Sequence, residues 1–61
     1  MKVKVYKNGK EVGWYKDIVP GANAVIATCK KWGFDITQYE FRDYDDDKKV
    51  VWRGTEDMLS V

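Results

Sequence analysis

Tyrosines and basic residues alternate in two separated stretches of this chain, and no catalytic set accompanies them. Lys4 and Tyr6 stand two apart near the start, and Tyr15 follows. Arg42 and Tyr44 repeat that spacing later, with Arg53 beyond them. Period-two spacing places side chains on one face of a strand. Aromatic rings beside cations on an open sheet suit protein contact, because Tyr and Arg are frequent interface anchors. The same set suits a single-stranded nucleic acid, whose bases stack on rings while its phosphates meet cations. The candidate binding residues are therefore Lys4, Tyr6, Tyr15, Arg42, Tyr44 and Arg53. A protein partner is the leading expectation, and single-stranded nucleic acid is the alternative. An ordinary solvated face accounts for the same residues, since Tyr forms strands well and Lys or Arg keeps an exposed face soluble.

The inventory for catalysis is poor. The chain has no histidine, which removes the commonest general base and the commonest metal ligand. Its only serine is Ser60, and its only cysteine is Cys29. Cys29 falls in an apolar stripe, where a cysteine packs as a small hydrophobe rather than reacting. The glycines are scattered and form no phosphate-cradling loop. Asp43, Asp45 and Asp47 match the first half of an EF-hand loop, but Lys48 stands where that loop needs Gly and Gly54 where it needs a bidentate Glu. That stretch reads as a solvated turn whose charges discourage aggregation at a strand edge. No enzymatic role, cofactor or metal is expected.

Length and charge narrow the classes further. A chain of 61 residues makes one domain, and a domain this small buries only roughly 60% of its unfolded surface. Three Trp, four Tyr and two Phe supply dense core material in few residues. Eleven basic against ten acidic residues leave a net charge of +1. Such balance argues against a dedicated duplex-DNA binder and against an acidic DNA mimic. A single cysteine allows no intrachain disulfide. No apolar run approaches the ~20 residues of a membrane span. Met1-Lys2 leads straight into a strand pattern with no signal-peptide character, so a cytoplasmic location is expected.

The elements that must position these residues follow from turns and periodicity. Asn8-Gly9 between two Val-rich and aromatic runs signals a two-residue hairpin turn with positive φ at both positions. A regular ladder from that turn sets Val5 opposite Val12 and Val3 opposite Trp14 on the inner face. It sets Tyr6 opposite Glu11 and Lys2 opposite Tyr15 on the outer face. Asp17 to Gly21 reads as an extended exit and a bend, with Pro20 suited to a first helical turn. A helix is predicted from about Gly21 to Trp32, with Asn23 as a later alternative cap. Its stripe is Ala22, Val25, Ile26, Cys29 and Trp32. Gly33 supplies the left-handed residue that ends it, and Phe34 follows as in a Schellman end. Asp35 to Tyr44 alternates as a strand, and a polar turn over Asp45 to Lys48 leads to a partner strand over Lys49 to Gly54. That turn sets Phe41 opposite Trp52, Asp43 opposite Val50 and Glu40 opposite Arg53. The tail from Thr55 to Val61 either forms a short capped turn or frays.

The result is an α+β domain over residues 1–61, a ββαββ two-layer sandwich of a four-stranded sheet and one helix. Val3, Val5, Val12, Trp14, Tyr39, Phe41, Val50 and Trp52 are expected to line the inner sheet face. Lys2, Lys4, Tyr6, Tyr15, Arg42, Tyr44, Lys49, Val51 and Arg53 are expected outside, with Gln38 and Glu40 among them. If the first and last strands pair in the middle, the sheet is β-grasp-like. That arrangement resembles the small immunoglobulin-binding domains of streptococcal surface proteins in element order and length, in Asn8-Gly9-Lys10, and in Tyr44-Asp45-Asp46. The helix, with Ala22, Val25, Ile26 and Cys29, does not carry that family's binding pattern, so its function is not transferred. The open sheet edge leaves the protein a monomer or a weak homodimer.

Overall fold

The computed structural model describes residues 1–55, and the expectation for the tail beyond Thr55 lies outside the described residues. Strand β1 (Val3–Lys7) turns back through Asn8 (φ 53) and Gly9 (φ 78) into β2 (Lys10–Tyr15). Both turn residues take the positive φ of a primed hairpin. Helix α1 (Ile18–Trp32) follows, then a 3-10 turn (Ile36–Gln38), then β3 (Tyr39–Asp43) and β4 (Asp46–Arg53). The order ββαββ and the α+β class are those read from the sequence. The four-stranded sheet is antiparallel throughout, in the order β2-β1-β3-β4. The first and last strands are not neighbours, so the condition for a β-grasp sheet is not met. Instead β1 pairs with β3, with Val5 opposite Phe41.

The first hairpin departs from a regular ladder at one residue. Tyr6 faces Glu11 as expected, but Val5 faces Gly13, Lys4 faces Trp14 and Val3 faces Tyr15, so Val12 is a β-bulge. Every residue after the bulge changes face. Trp14 therefore lies outside, and Tyr15 lies inside, 6.1 Å from the Phe41 ring centroid. The expectations for Trp14 as an inner residue and for Tyr15 as an outer one are corrected accordingly, and Val12, at the bulge, is exposed rather than part of the core. Gly13 is the physical cause within reach of the sequence, since glycine inside a strand lets the backbone bulge.

The second hairpin turns earlier than expected, at Tyr44-Asp45, with Asp43 opposite Asp46. Asp43 accepts the Asp45 N–H at 3.0 Å, and Asp46 accepts the Lys48 N–H at 3.1 Å. Each aspartate closes a local turn two residues on, which draws the bend forward. Phe41 opposite Trp52 and Glu40 opposite Arg53 hold, but Val50 faces Arg42 and Val51 is extra. Val50 is therefore on the outer face, while Val51 packs against the core, the reverse of the sequence expectation.

Helix α1 begins at Ile18 rather than Gly21. Asp17 is extended (φ −157) and its carboxylate accepts the Ile18 N–H at 2.7 Å, capping the helix three residues before Gly21. Pro20 falls in the first turn, where a missing N–H costs nothing. At the other end Gly33 has φ 72, and the Phe34 N–H reaches the Cys29 carbonyl at 3.1 Å, the long bond of a Schellman end. Val25 and Cys29 are buried, with Ala22 and Ile26 packed at the side, but Trp32 is exposed and leaves the expected stripe. The segment before Tyr39 is not strand: Asp35 accepts from the Thr37 backbone and hydroxyl at 3.0 and 2.6 Å and starts the 3-10 turn.

The core joins Val3, Val5 and Phe41 of the sheet to Val25 and Cys29 of the helix, with Ile36 of the 3-10 turn at its end. Phe41 is fully buried, stacked on Trp52 at 4.5 Å. Gly21 brings the helix backbone so near that a Cβ there would stand 3.0 Å from both the Tyr15 and Phe41 rings. Among the described residues no helix is long and apolar enough to cross a membrane.

Candidate functional site

The sheet face opposite the helix carries two rows of side chains. One row reads Trp14, Lys4, Arg42, Val50 across the four strands, and the next reads Glu11, Tyr6, Glu40, Arg53. At the end of the face, Tyr44 and Lys2 sit beside Trp14. Of the six candidate residues, Lys4, Tyr6, Arg42, Tyr44 and Arg53 thus share this face. Tyr15 does not, for the bulge turns it into the core.

The face is organised by internal pairing. The Arg42 guanidinium lies over the Tyr6 ring at 4.1 Å, donates to the Glu40 carboxylate at 2.7 Å, and reaches the Asp47 carbonyl at 3.2 Å. Tyr6 is only 8% exposed beneath it. The hydrogen bond to Glu40 pushes the Arg42 pKa up further. Lys4 meets Glu11 at 3.6 Å. Tyr6 is consequently covered, and Lys4 and Arg42 already hold carboxylates.

The open part of the face is its aromatic corner. Trp14 is 56% exposed and meets Tyr44 edge to face, 77° apart at 6.3 Å. The Lys2 ammonium sits 4.5 Å from the Trp14 ring and 4.0 Å from the Tyr44 ring, with Lys4 5.1 Å from Tyr44. Cation–π contacts of this kind orient both rings without hiding them. Trp14 was missed as a site residue, and the glycine beside it was the available signal.

The remaining chemistry-bearing residues lie elsewhere. Cys29 is buried, and burial pushes its thiol pKa up, which opposes the thiolate a nucleophile needs. The aspartates of the second turn spend Asp43 and Asp46 on backbone N–H groups. Among the described residues, no group of three or more His, Cys, Asp or Glu is placed to hold a metal ion. No protein-family model, curated protein or solved structure matches the chain.

Proposed function

We propose that the protein is a small non-enzymatic protein-binding module acting through the outer sheet face, with Trp14 and Tyr44 as anchors. The observation that supports this is the Trp14–Tyr44 corner, with Trp14 56% exposed and the Lys2 ammonium against both rings. Trp and Tyr are enriched among the few residues that dominate binding energy at protein interfaces. Lys4 and Arg42 already meet Glu11 and Glu40 on this face, so the partner's matching surface is chiefly apolar, opposite Trp14 and Tyr44. Single-stranded nucleic acid fits less well. Its bases need open rings and its phosphates need uncommitted cations, whereas Tyr6 is covered and Arg42 is tied to Glu40.

The test is affinity capture from the source cells with the wild-type chain and with Trp14→Ala/Tyr44→Ala in parallel. The expected result is a partner retained by the first and lost by the second. Recovery of the same proteins by both would remove the proposed surface. A titration with a mixed-sequence oligonucleotide discriminates the alternative: salt-sensitive amide shifts at residues 2–6, 42–44 and 53 would favour nucleic acid.

A further inference from the structure

On the other side of the sheet, a groove of about 260 Å³ runs between β2 and α1. Val12, Gly13 and Trp14 of β2 line it on one side and Val25 and Thr28 of α1 on the other, with Val5 and Tyr39 also lining it. The bulge sets Val12 and Gly13 together on this groove. A side chain added at Gly13 would meet nothing within 4 Å. Val12 is 55% exposed, and Trp32, one turn beyond Thr28 on the helix, is 64% exposed. The groove is smaller than the ~300–1,000 Å³ of a typical small-molecule site, and fits one or two side chains.

Two further observations say what fits it. The strand beside the groove is the sheet edge, and among the described residues nothing pairs with its outer side, which leaves backbone N–H and C=O groups available to another strand. The groove's hairpin end is cationic. Lys7 lies over the Tyr39 ring at 5.5 Å and pairs across the ladder with Lys10. Among the described residues neither lysine has a carboxylate within ion-pair distance, because Glu11 turns to the opposite face to meet Lys4.

We infer that this groove receives an extended, acidic, apolar segment of a partner protein, added as an outer strand along β2. One branched or aromatic side chain of the segment sits over Gly13 between Val12 and Val25, and a carboxylate meets Lys7 and Lys10. Strand addition draws affinity from main-chain hydrogen bonds and specificity from pockets for alternate side chains. A second copy of this chain fits worse. Two-fold pairing of β2 with itself about Val12 and Gly13 sets Lys10 beside Tyr15 and Lys16 of the other copy, and the carboxylate it brings near Lys7, that of Asp17, already caps α1. Trp14 borders this groove as well as the outer corner, and the variants at Gly13, Lys7 and Lys10 below distinguish the groove from that corner.

The experiment is selection of short random peptides on the immobilised full chain, followed by titration of the labelled protein with the selected synthetic peptide. The expected peptides alternate apolar residues and carry Asp or Glu. Their amide shifts should fall on residues 10–15, 25, 28 and 32. Gly13→Leu fills the groove from an open position and should weaken binding at least about tenfold, and Thr28→Trp should do the same from the helix wall. Lys7→Gln/Lys10→Gln should weaken an acidic peptide but not its amide counterpart. The inference is overturned if no peptide is enriched above the blank surface. It is equally overturned if both blocking variants bind as wild type, or if shifts gather at Lys4, Arg42 and Tyr44, which would favour the outer face instead. Contacts from the chain's own residues 56–61 to Val25 in the unliganded protein would also overturn it.

Discussion

Gly54 has no room for a side chain. A Cβ there would stand 2.1 Å from the Ile36 carbonyl oxygen, a backbone atom that cannot swing away. Gly54→Ala should therefore cost about 1–3 kcal/mol, in the range of overpacking, read as a lower urea midpoint. Phe41→Ala removes the ring held between Tyr15 and Trp52, and should cost about 3–5 kcal/mol. Trp14, by contrast, is 56% exposed, so Trp14→Ala should lower the midpoint far less than Phe41→Ala while removing partner binding. The carboxylates of Asp17 and Asp35 sit below their ordinary pKa of 3.8, Asp17 through the Ile18 N–H and Asp35 through the Thr37 hydroxyl and N–H. Depressed acid groups stabilise the fold above that value, and their contribution fades as pH falls through and below it. Denaturant midpoints measured from neutral to acid pH should drop there, and Asp35→Ala should shallow the drop.

At the scale of elements, the bulge in β2 makes a prediction that a regular ladder would not. Deleting Val12 should leave Tyr6 opposite Glu11 and restore an unbroken ladder with Trp14 still outside and Tyr15 still inside. The Trp14–Tyr44 and Tyr15–Phe41 contacts should survive in a nuclear Overhauser spectrum. Loss of both contacts would show that the faces are set otherwise. The same element marks where the sequence was legible and where it was not. Asn8-Gly9 and Gly33 declared a hairpin turn and a helix end, because only certain residues take positive φ. Register was harder: one extra residue moves each later side chain across the sheet, and Gly13 hints at a bulge without saying on which side of it the ladder resumes. The second turn shifted because aspartates at 43 and 46 each close their own local loop, and a run of like residues offers several such centres. The candidate face was legible for Lys4, Tyr6, Arg42, Tyr44 and Arg53, where strand parity was right. It failed for Tyr15 and Trp14, which lie beyond the bulge. The covering of Tyr6 by Arg42 depends on the β1–β3 pairing, which no local pattern reveals.

At the scale of the whole molecule, the outer face compensates its own charges, and this bears on salt. Binding through Trp14 and Tyr44 should change little as salt rises, since Lys4 and Arg42 already have partners, whereas phosphate binding would weaken steeply. The strand order has a consequence in time as well as in space. Each hairpin closes over a few residues, but the β1–β3 seam joins segments separated by the entire helix. Closing that span costs chain entropy before any contact repays it, so docking of the two hairpins is the expected bottleneck of folding. In a chevron analysis, Val5→Ala at the seam should slow refolding, and a substitution such as Lys48→Gly in the outer strand β4 should act mainly on the unfolding limb. The central pairing that keeps Phe41 dry would then also set how quickly a newly made chain hides its edges.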